Sequence, residues 1–234
     1  MSRDGRLADV AAAVLLGGAS TRMGTDKARV ELEGVPAALR LARLADELFE
    51  EVLLVGGAPP AGAPGRAVAD PPGEPSALRG LVGALGAAAA PRVLVVATDL
   101  PLVTPDLLLA LVAYPEANAV VPRSAAGLEP LCALYRRDAA LPVARARLAR
   151  GALSLHGLLD ELAPSVLGGA DLAAVDPDGT ALFNANTPEE LARARALLAA
   201  RRAAHDAPPA SRTGRLGEPA PLGDEVRAAR GEPA

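Results

Sequence analysis

The sequence predicts an α/β fold built on a mostly parallel sheet. Strand-length apolar runs alternate with longer helical patterns, the order that consecutive βαβ units require. Polar clusters follow the first, third and fourth of those runs, where an open sheet of this class gathers its ligands. The 234 residues suffice for one such domain, or two small ones, with a sizeable core.

Each element has a local reason. Ala11–Leu16 is an apolar run that leaves into Gly17–Gly34, a long loop carrying most of the charge of this region. Across Pro36–Leu48, Leu39, Leu41, Leu44 and Leu48 recur at near-helical spacing with Arg and Asp between them, which predicts a helix. Glu51–Val55 is a second strand. The Pro- and Gly-rich segment Gly56–Gly65 must be a loop, after which Ala67-Val68-Ala69 delivers Asp70. Ser76–Ala89 is a helix interrupted by glycine, and Arg92–Ala97 is a buried strand ending in Thr98-Asp99-Leu100-Pro101. Thr104 before Pro105 marks another helix start, a hydroxyl cap followed by proline at the first helical position.

In the second half, Ala119–Val121 and Leu131–Tyr135 read as strands, and Ala139–Arg150 and Leu155–Leu162 as helices. Ala181-Leu182-Phe183 then runs into Asn184-Ala185-Asn186-Thr187-Pro188-Glu189-Glu190. There Thr187 and Glu190 have the spacing of a capping box, and the helix they open is expected to end near Arg202. Residues 203–234 are Pro, Gly, Ala and charge without periodicity, so a folded domain over 1–202 and a disordered tail are expected.

Composition excludes several function classes. A net charge of −4 and only 2% aromatic residues, with no Trp, give neither the basic footprint nor the stacking platforms of a nucleic-acid binder. Nothing suggests an anionic membrane surface as partner, and no apolar run approaches membrane-spanning length. One cysteine, Cys132, rules out an internal disulfide or a multi-cysteine metal site and reads as a core residue. No signal-peptide pattern opens the chain, so a cytoplasmic location is expected. His156 and His205 have no partner nearby in sequence, and no Ser-His-Asp arrangement is visible.

Chemistry is expected at the polar clusters. Lys27 is the only lysine among 24 Lys and Arg residues. A chain that uses arginine everywhere else, yet keeps one compact ammonium beside a Gly-rich loop, points to a phosphate. Gly17 and Gly18 remove two Cβ atoms where the chain leaves the sheet, so N–H groups can approach a ligand. Arg22 adds charge for a polyphosphate. The spacing is not that of a Walker A loop or a dinucleotide fingerprint. Asp99 has two readings: a ligand for Mg²⁺, which takes one or two carboxylates plus substrate phosphates, or a cap for the turn before Pro101. Asn184 and Asn186 could serve a turn, or present both amides to a ligand if the segment is extended.

The run Leu15-Leu16-Gly17-Gly18-x-Ser20-x-Arg22-Met23-Gly24-x-Asp26-Lys27 resembles the signature of the molybdenum cofactor guanylyltransferase family, within the wider nucleotidylyltransferase superfamily. The likeness spans about residues 10–200. It continues through Asp70, the Ser76–Leu85 helix, Asp99-Leu100-Pro101, Glu129-Pro130-Leu131 and Asn184-Ala185-Asn186-Thr187-Pro188-Glu189. It implies a Rossmann-like three-layer sandwich that transfers GMP from MgGTP to the phosphate of molybdopterin and releases pyrophosphate. Position by position, it implies that Leu15, Leu16, Gly17 and Gly18 meet the nucleotide, Lys27 and Arg22 the phosphates, and Asp70 the guanosine. It implies that Asp99 binds Mg²⁺, that Asn184 and Asn186 lie near the acceptor, and that molybdoenzyme-maturation proteins lie downstream. The chain departs from the family pattern at Leu16, at Pro75–Gly80, and at Val55-Gly56, where an Asn often stands. Related activities stay open on the residues alone: a cytidylyl transfer, a sugar-phosphate acceptor, or a carrier that binds nucleotide or cofactor without catalysis.

Overall fold

The computed structural model describes residues 5–17, 31–114 and 117–206. The elements are, in chain order, β1 (Leu7–Leu15), β2 (Glu31–Leu32), β3 (Val35–Pro36), α1 (Ala37–Leu48), β4 (Phe49–Val55), β5 (Arg66–Val68), α2 (Ala77–Ala87), β6 (Arg92–Ala97), α3 (Pro105–Ala113), β7 (Ala119–Ser124), β8 (Gly127–Leu128), β9 (Cys132–Arg136), α4 (Arg137–Ala149), α5 (Leu155–Leu162), β10 (Ser165–Leu167), α6 (Gly169–Val175) and α7 (Pro188–Asp206).

The main sheet has the order β10-β7-β9-β6-β1-β4-β5, with β8 beside β7. β1 is parallel to both neighbours, β4 and β6, and β4–β5 and β7–β10 are also parallel. β9 runs the other way between β6 and β7. The chain moves outward from β1 through β4 to β5, then returns to β6 on β1's far side. That reversal makes a switch point between β1 and β6, where a crevice opens at the carboxyl ends of the strands.

A central parallel strand is covered on both faces, and β1 is buried without interruption from Val10 to Leu15. Its alternate side chains enter two cores. Val10, Ala12 and Val14 join one with residues of α1 and α3, while Ala11, Ala13 and Leu15 join the other with residues of α2, α4 and α5. The sandwich therefore has three layers. Helix α1 presents Ala38, Leu41, Ala42 and Ala45 to the sheet, an i, i+3, i+4, i+7 stripe; the Leu44 and Leu48 anticipated from spacing only flank it. In α2 the glycines allow close packing: a Cβ at Gly83 would lie 3.3 Å from the Ala69 carbonyl oxygen and 3.4 Å from Val55.

The strand Arg92–Ala97 and the helix Leu155–Leu162 fall where the sequence puts them. The capped start at Thr104 holds as well, with its hydroxyl accepting from the Leu107 N–H at 3.3 Å. Other boundaries move. β1 starts at Leu7, before the purely apolar run, because an edge of the strand tolerates Asp9. β2 and β3, which interrupt the end of the expected Gly17–Gly34 loop and displace the helix start from Pro36, were not legible, and nor were β8, β10 and α6. The strands are two and three residues long, and α6 buries no side chain. Helix α7 continues to Asp206, past the expected end near Arg202. The rest of the expected tail, 207–234, lies outside the described residues.

A third, smaller apolar cluster joins α7 to the β2–β3 hairpin: Leu32, Ala37, Leu102, Ala185 and Ala194, flanked by Phe183, Leu191, Leu197 and Leu198. Glu33 and Gly34 both have positive φ at the hairpin tip, the geometry that a two-residue turn needs between right-twisted strands.

Candidate active site

The carboxyl ends of β1, β4 and β6 are laced together. Leu16 N–H donates to the Val55 carbonyl at 2.8 Å, Gly56 N–H to Val68 at 2.9 Å, and Ala97 N–H to Leu131 at 2.9 Å. Beyond these bonds opens a cavity of about 140 Å³ lined by Leu15, Gly17, Val55, Asp70, Pro75, Ser76, Ala77, Gly80, Ala97, Thr98, Asp99 and Leu131. Three of the sequence-predicted site residues beside Leu15, namely Gly17, Asp70 and Asp99, thus share one wall system. Leu16 does not face it: its side chain is buried in the core on the opposite face of the sheet, so only its backbone borders the site. Gly18, Arg22 and Lys27 lie outside the described residues.

Asp70 follows β5, and glycines from three elements converge on its carboxylate. A Cβ on Gly56 would come within 3.0 Å of Oδ2 and 3.2 Å of Oδ1; those on Gly80 and Gly17 would lie 3.7 and 3.9 Å from a carboxylate oxygen. Gly56 also has φ +66°, a left-handed conformation that suits glycine. Asp70 Oδ1 is buried without a hydrogen-bond partner among the described residues. Burial pushes this carboxyl above its ordinary value, against a smaller opposing effect of the nearby Arg79 charge. An ionisable oxygen kept dry and unsatisfied costs folding energy unless a ligand supplies the donors.

Arg79 shapes the neighbouring wall. Its Nε donates to the Glu74 carbonyl at 2.8 Å, and its Nη1 reaches the carbonyls of Pro71 and Pro72. Ser76 caps α2 by accepting from the Arg79 N–H at 3.2 Å. The segment Pro75–Gly80 therefore builds a helix start against the cavity despite its departure from the family pattern. Gly56, Gly80, Ser76 and Arg79 belong to the surroundings of this site but were not singled out in the sequence, whereas Thr98 falls in the strand-end cluster that the sequence marks. The glycines needed three-dimensional contacts.

Asp99 lies at the end of β6, where Leu100 N–H turns back to Ala97 at 3.2 Å. Its backbone carbonyl accepts from Ala185 N–H at 2.8 Å. That one bond brings the Asn184–Asn186 segment directly onto the Asp99 turn. Ala185 is buried in the small cluster under α7, while Asn184 is half-buried and Asn186 exposed. Both Asn residues are thus more exposed than the alanine between them. Glu190 accepts from Asn186 and Thr187 N–H at 2.7 and 3.0 Å, and Thr187 accepts from Glu190 N–H at 3.1 Å. The expected capping box is present and fixes the segment's exit.

One carboxylate at this lip suits a hard divalent cation that takes its other ligands from phosphates and water. Among the described residues no three His, Cys, Asp or Glu side chains gather as a metal cage. Asp99 would hold Mg²⁺ together with a bound triphosphate. Cys132 is fully buried, as expected of a core residue. A larger hollow of about 560 Å³ lies at the other end of the strands, lined in part by Asp9, Arg92 and Arg136. Its arginines are committed to Asp9, the Val112 carbonyl and Asn118.

The model of the MobA-like NTP transferase domain matches residues 12–166. The chain belongs to this family. It is 36% identical to a probable molybdenum cofactor guanylyltransferase of Chloroflexus aggregans, over 79% of this chain and 93% of the relative. It is 31% identical to the molybdenum cofactor guanylyltransferase of Rhodobacter capsulatus, over 79% of this chain and 94% of that protein. Among solved structures, molybdopterin-guanine dinucleotide biosynthesis protein A from Archaeoglobus fulgidus shares the fold, with a TM-score of 0.71 at 23% identity over 81% of this chain and 98% of that one. The family is one of nucleotidyltransferases, so the Rossmann-like sandwich and the enzyme class stand. Among the described residues no helix is long and apolar enough to cross a membrane.

Proposed function

We propose that the chain transfers GMP from MgGTP to the phosphate of molybdopterin, forming the guanine dinucleotide cofactor and pyrophosphate. The observation that carries this reading is the Asp70 carboxylate, which lines the cavity in its three-glycine cradle with Oδ1 buried and without a hydrogen-bond partner among the described residues. Guanine offers two adjacent donors, N1–H and the N2 amine, to such a group; cytosine offers one amine. The names of the relatives point the same way.

In this reading Leu15 and Gly17 line the nucleotide's cleft, and Gly18, Arg22 and Lys27 hold the phosphates. Asp99 would hold Mg²⁺, which when bound would supply charge neutralisation to the triphosphate. Asn184 and Asn186 hold the acceptor beside it. An acceptor phosphate oxygen forms a bond to the α-phosphorus as the bond to the pyrophosphate oxygen breaks. Positioning and charge neutralisation, without a covalent enzyme intermediate, suffice for such a transfer. The cytoplasm is the proposed compartment, with molybdoenzyme-maturation proteins as proposed partners.

The cytidylyl alternative shares the scaffold. The 2-C-methyl-D-erythritol 4-phosphate cytidylyltransferase of Thermus thermophilus has a TM-score of 0.60 at 17% identity, covering 80% of this chain and 98% of that one, and so bears on fold alone. Pyrophosphate release measured with GTP and CTP in competition, with molybdopterin as acceptor, decides between them. A carboxylate that hydrogen-bonds guanine is expected to favour GTP by about 10⁴ in kcat/KM. A preference for CTP, or less than about tenfold discrimination, overturns the guanylyl assignment.

A further inference from the structure

Donor and acceptor sides of the proposed site come from distant parts of the chain, and one side chain joins their supports. Arg201, in α7, spreads its guanidinium over two segments. Nη1 donates to the Leu102 carbonyl at 2.8 Å, on the turn that follows Asp99. Nε and Nη2 donate to the two carboxylate oxygens of Asp178 at 3.0 and 2.9 Å, and Nη2 also reaches Thr180 Oγ1.

Asp178 and Thr180 belong to the turn that leads into Asn184. Asp176 folds that turn by accepting from Thr180 and Ala181 N–H at 3.1 and 3.0 Å. The Ala185 N–H bond to the Asp99 carbonyl then closes a ring. It runs from Asp99 through Leu102, Arg201 and the 176–180 turn to Ala185, and back to Asp99.

We propose that Arg201 is a positioning residue for the transfer step: it sets the spacing between Asp99 and the Asn184–Asn186 pair. The proposal rests on the reading that these residues serve donor and acceptor. In-line transfer needs the reacting atoms held near contact, and a misplacement of about 1 Å costs on the order of 10²-fold in rate. Only a planar fork can hold a carboxylate through two nitrogens and a third acceptor on another segment at once. Lysine could keep the Asp178 ion pair but not all these directions. The Arg201 and Asp178 side chains are 26% and 48% exposed. An ion pair so solvated contributes little to stability, so a merely structural role predicts a small, activity-neutral effect.

The test compares full-length Arg201→Met and Arg201→Lys with the unaltered chain. Arg6→Met, which breaks a remote ion pair with Asp46, serves as control. Steady-state pyrophosphate release is expected to show kcat lowered about tenfold or more in Arg201→Met and less in Arg201→Lys, with KM for GTP changed less than about twofold. Arg6→Met should turn over normally. A substrate-free readout accompanies it: protection of the Ala185 amide from hydrogen exchange should fall about tenfold or more in Arg201→Met. Unchanged Ala185 protection, full rescue by lysine, or parallel losses of kcat and GTP affinity overturn the proposal. Absence of GTP turnover in the unaltered chain overturns the guanylyl reading instead, and the exchange measurement still decides the role of Arg201.

Discussion

At the scale of single residues, Asp70 links the cost of the fold to its chemistry. Its carboxyl is raised above the usual 3.8 chiefly by burial, so the folded state binds this proton more tightly than the unfolded chain does. The sign follows: Asp70 disfavours folding at pH above its raised value, and that penalty is relieved as pH falls toward the ordinary range. Under the proposed function catalysis runs opposite, because only an ionised Asp70 would accept both guanine donors. KM for GTP should therefore rise on acidification, starting above the pH at which an ordinary Asp titrates. Asp70→Asn should abolish that titration, leave the Tm equal or higher, and raise KM for GTP by roughly tenfold or more. Thermal melts and pH–KM profiles of the two proteins check this; a lowered Tm with unchanged KM would make Asp70 structural. Asp70 itself was legible in the sequence as a carboxylate behind a strand. Its glycine cradle was not, because Gly17, Gly56 and Gly80 meet only after three elements pack.

At the scale of elements, caps and strand ends carried most of the legible information. Thr104-Pro105 and Thr187–Glu190 announced their helices because capping is local chemistry between residues three apart. β10 and α6 gave no such signal. Their pairing and placement depend on β7 and α3, which precede them by tens of residues. The Thr187–Glu190 box also does more than start α7, since Glu190 takes the Asn186 N–H as well. Glu190→Ala should cost about 1 kcal/mol in stability, as lost caps do. It should also raise KM for the acceptor while leaving KM for GTP unchanged. Denaturant unfolding and two-substrate kinetics measure both; an unaltered acceptor KM would reduce the box to a cap.

At the scale of the whole molecule, the α/β class and the sheet's mostly parallel character were legible from alternating runs. The strand order was not, since antiparallel β9 enters between β6 and β7 through long-range pairing. β9 also carries the lone thiol. Cys132 is wholly buried, and burial pushes it up to about 12, so little reactive thiolate exists near neutrality. A thiol reagent at pH 8 should modify it only through opening of the sheet, at a rate that rises with denaturant as global unfolding does. Rapid labelling of the native protein would show that β9 opens by itself. A last consequence concerns synthesis. Residues 7–99 already contain β1, β4, β5 and β6 and all of the cavity's lining but Leu131, so most of the cleft can assemble while the ribosome is still adding residues. The Asp99 carbonyl must wait for Ala185, and Leu102 for Arg201. Under the proposed function, a nascent chain would therefore form most of its nucleotide side before its acceptor side, and group transfer would wait until α7 has emerged.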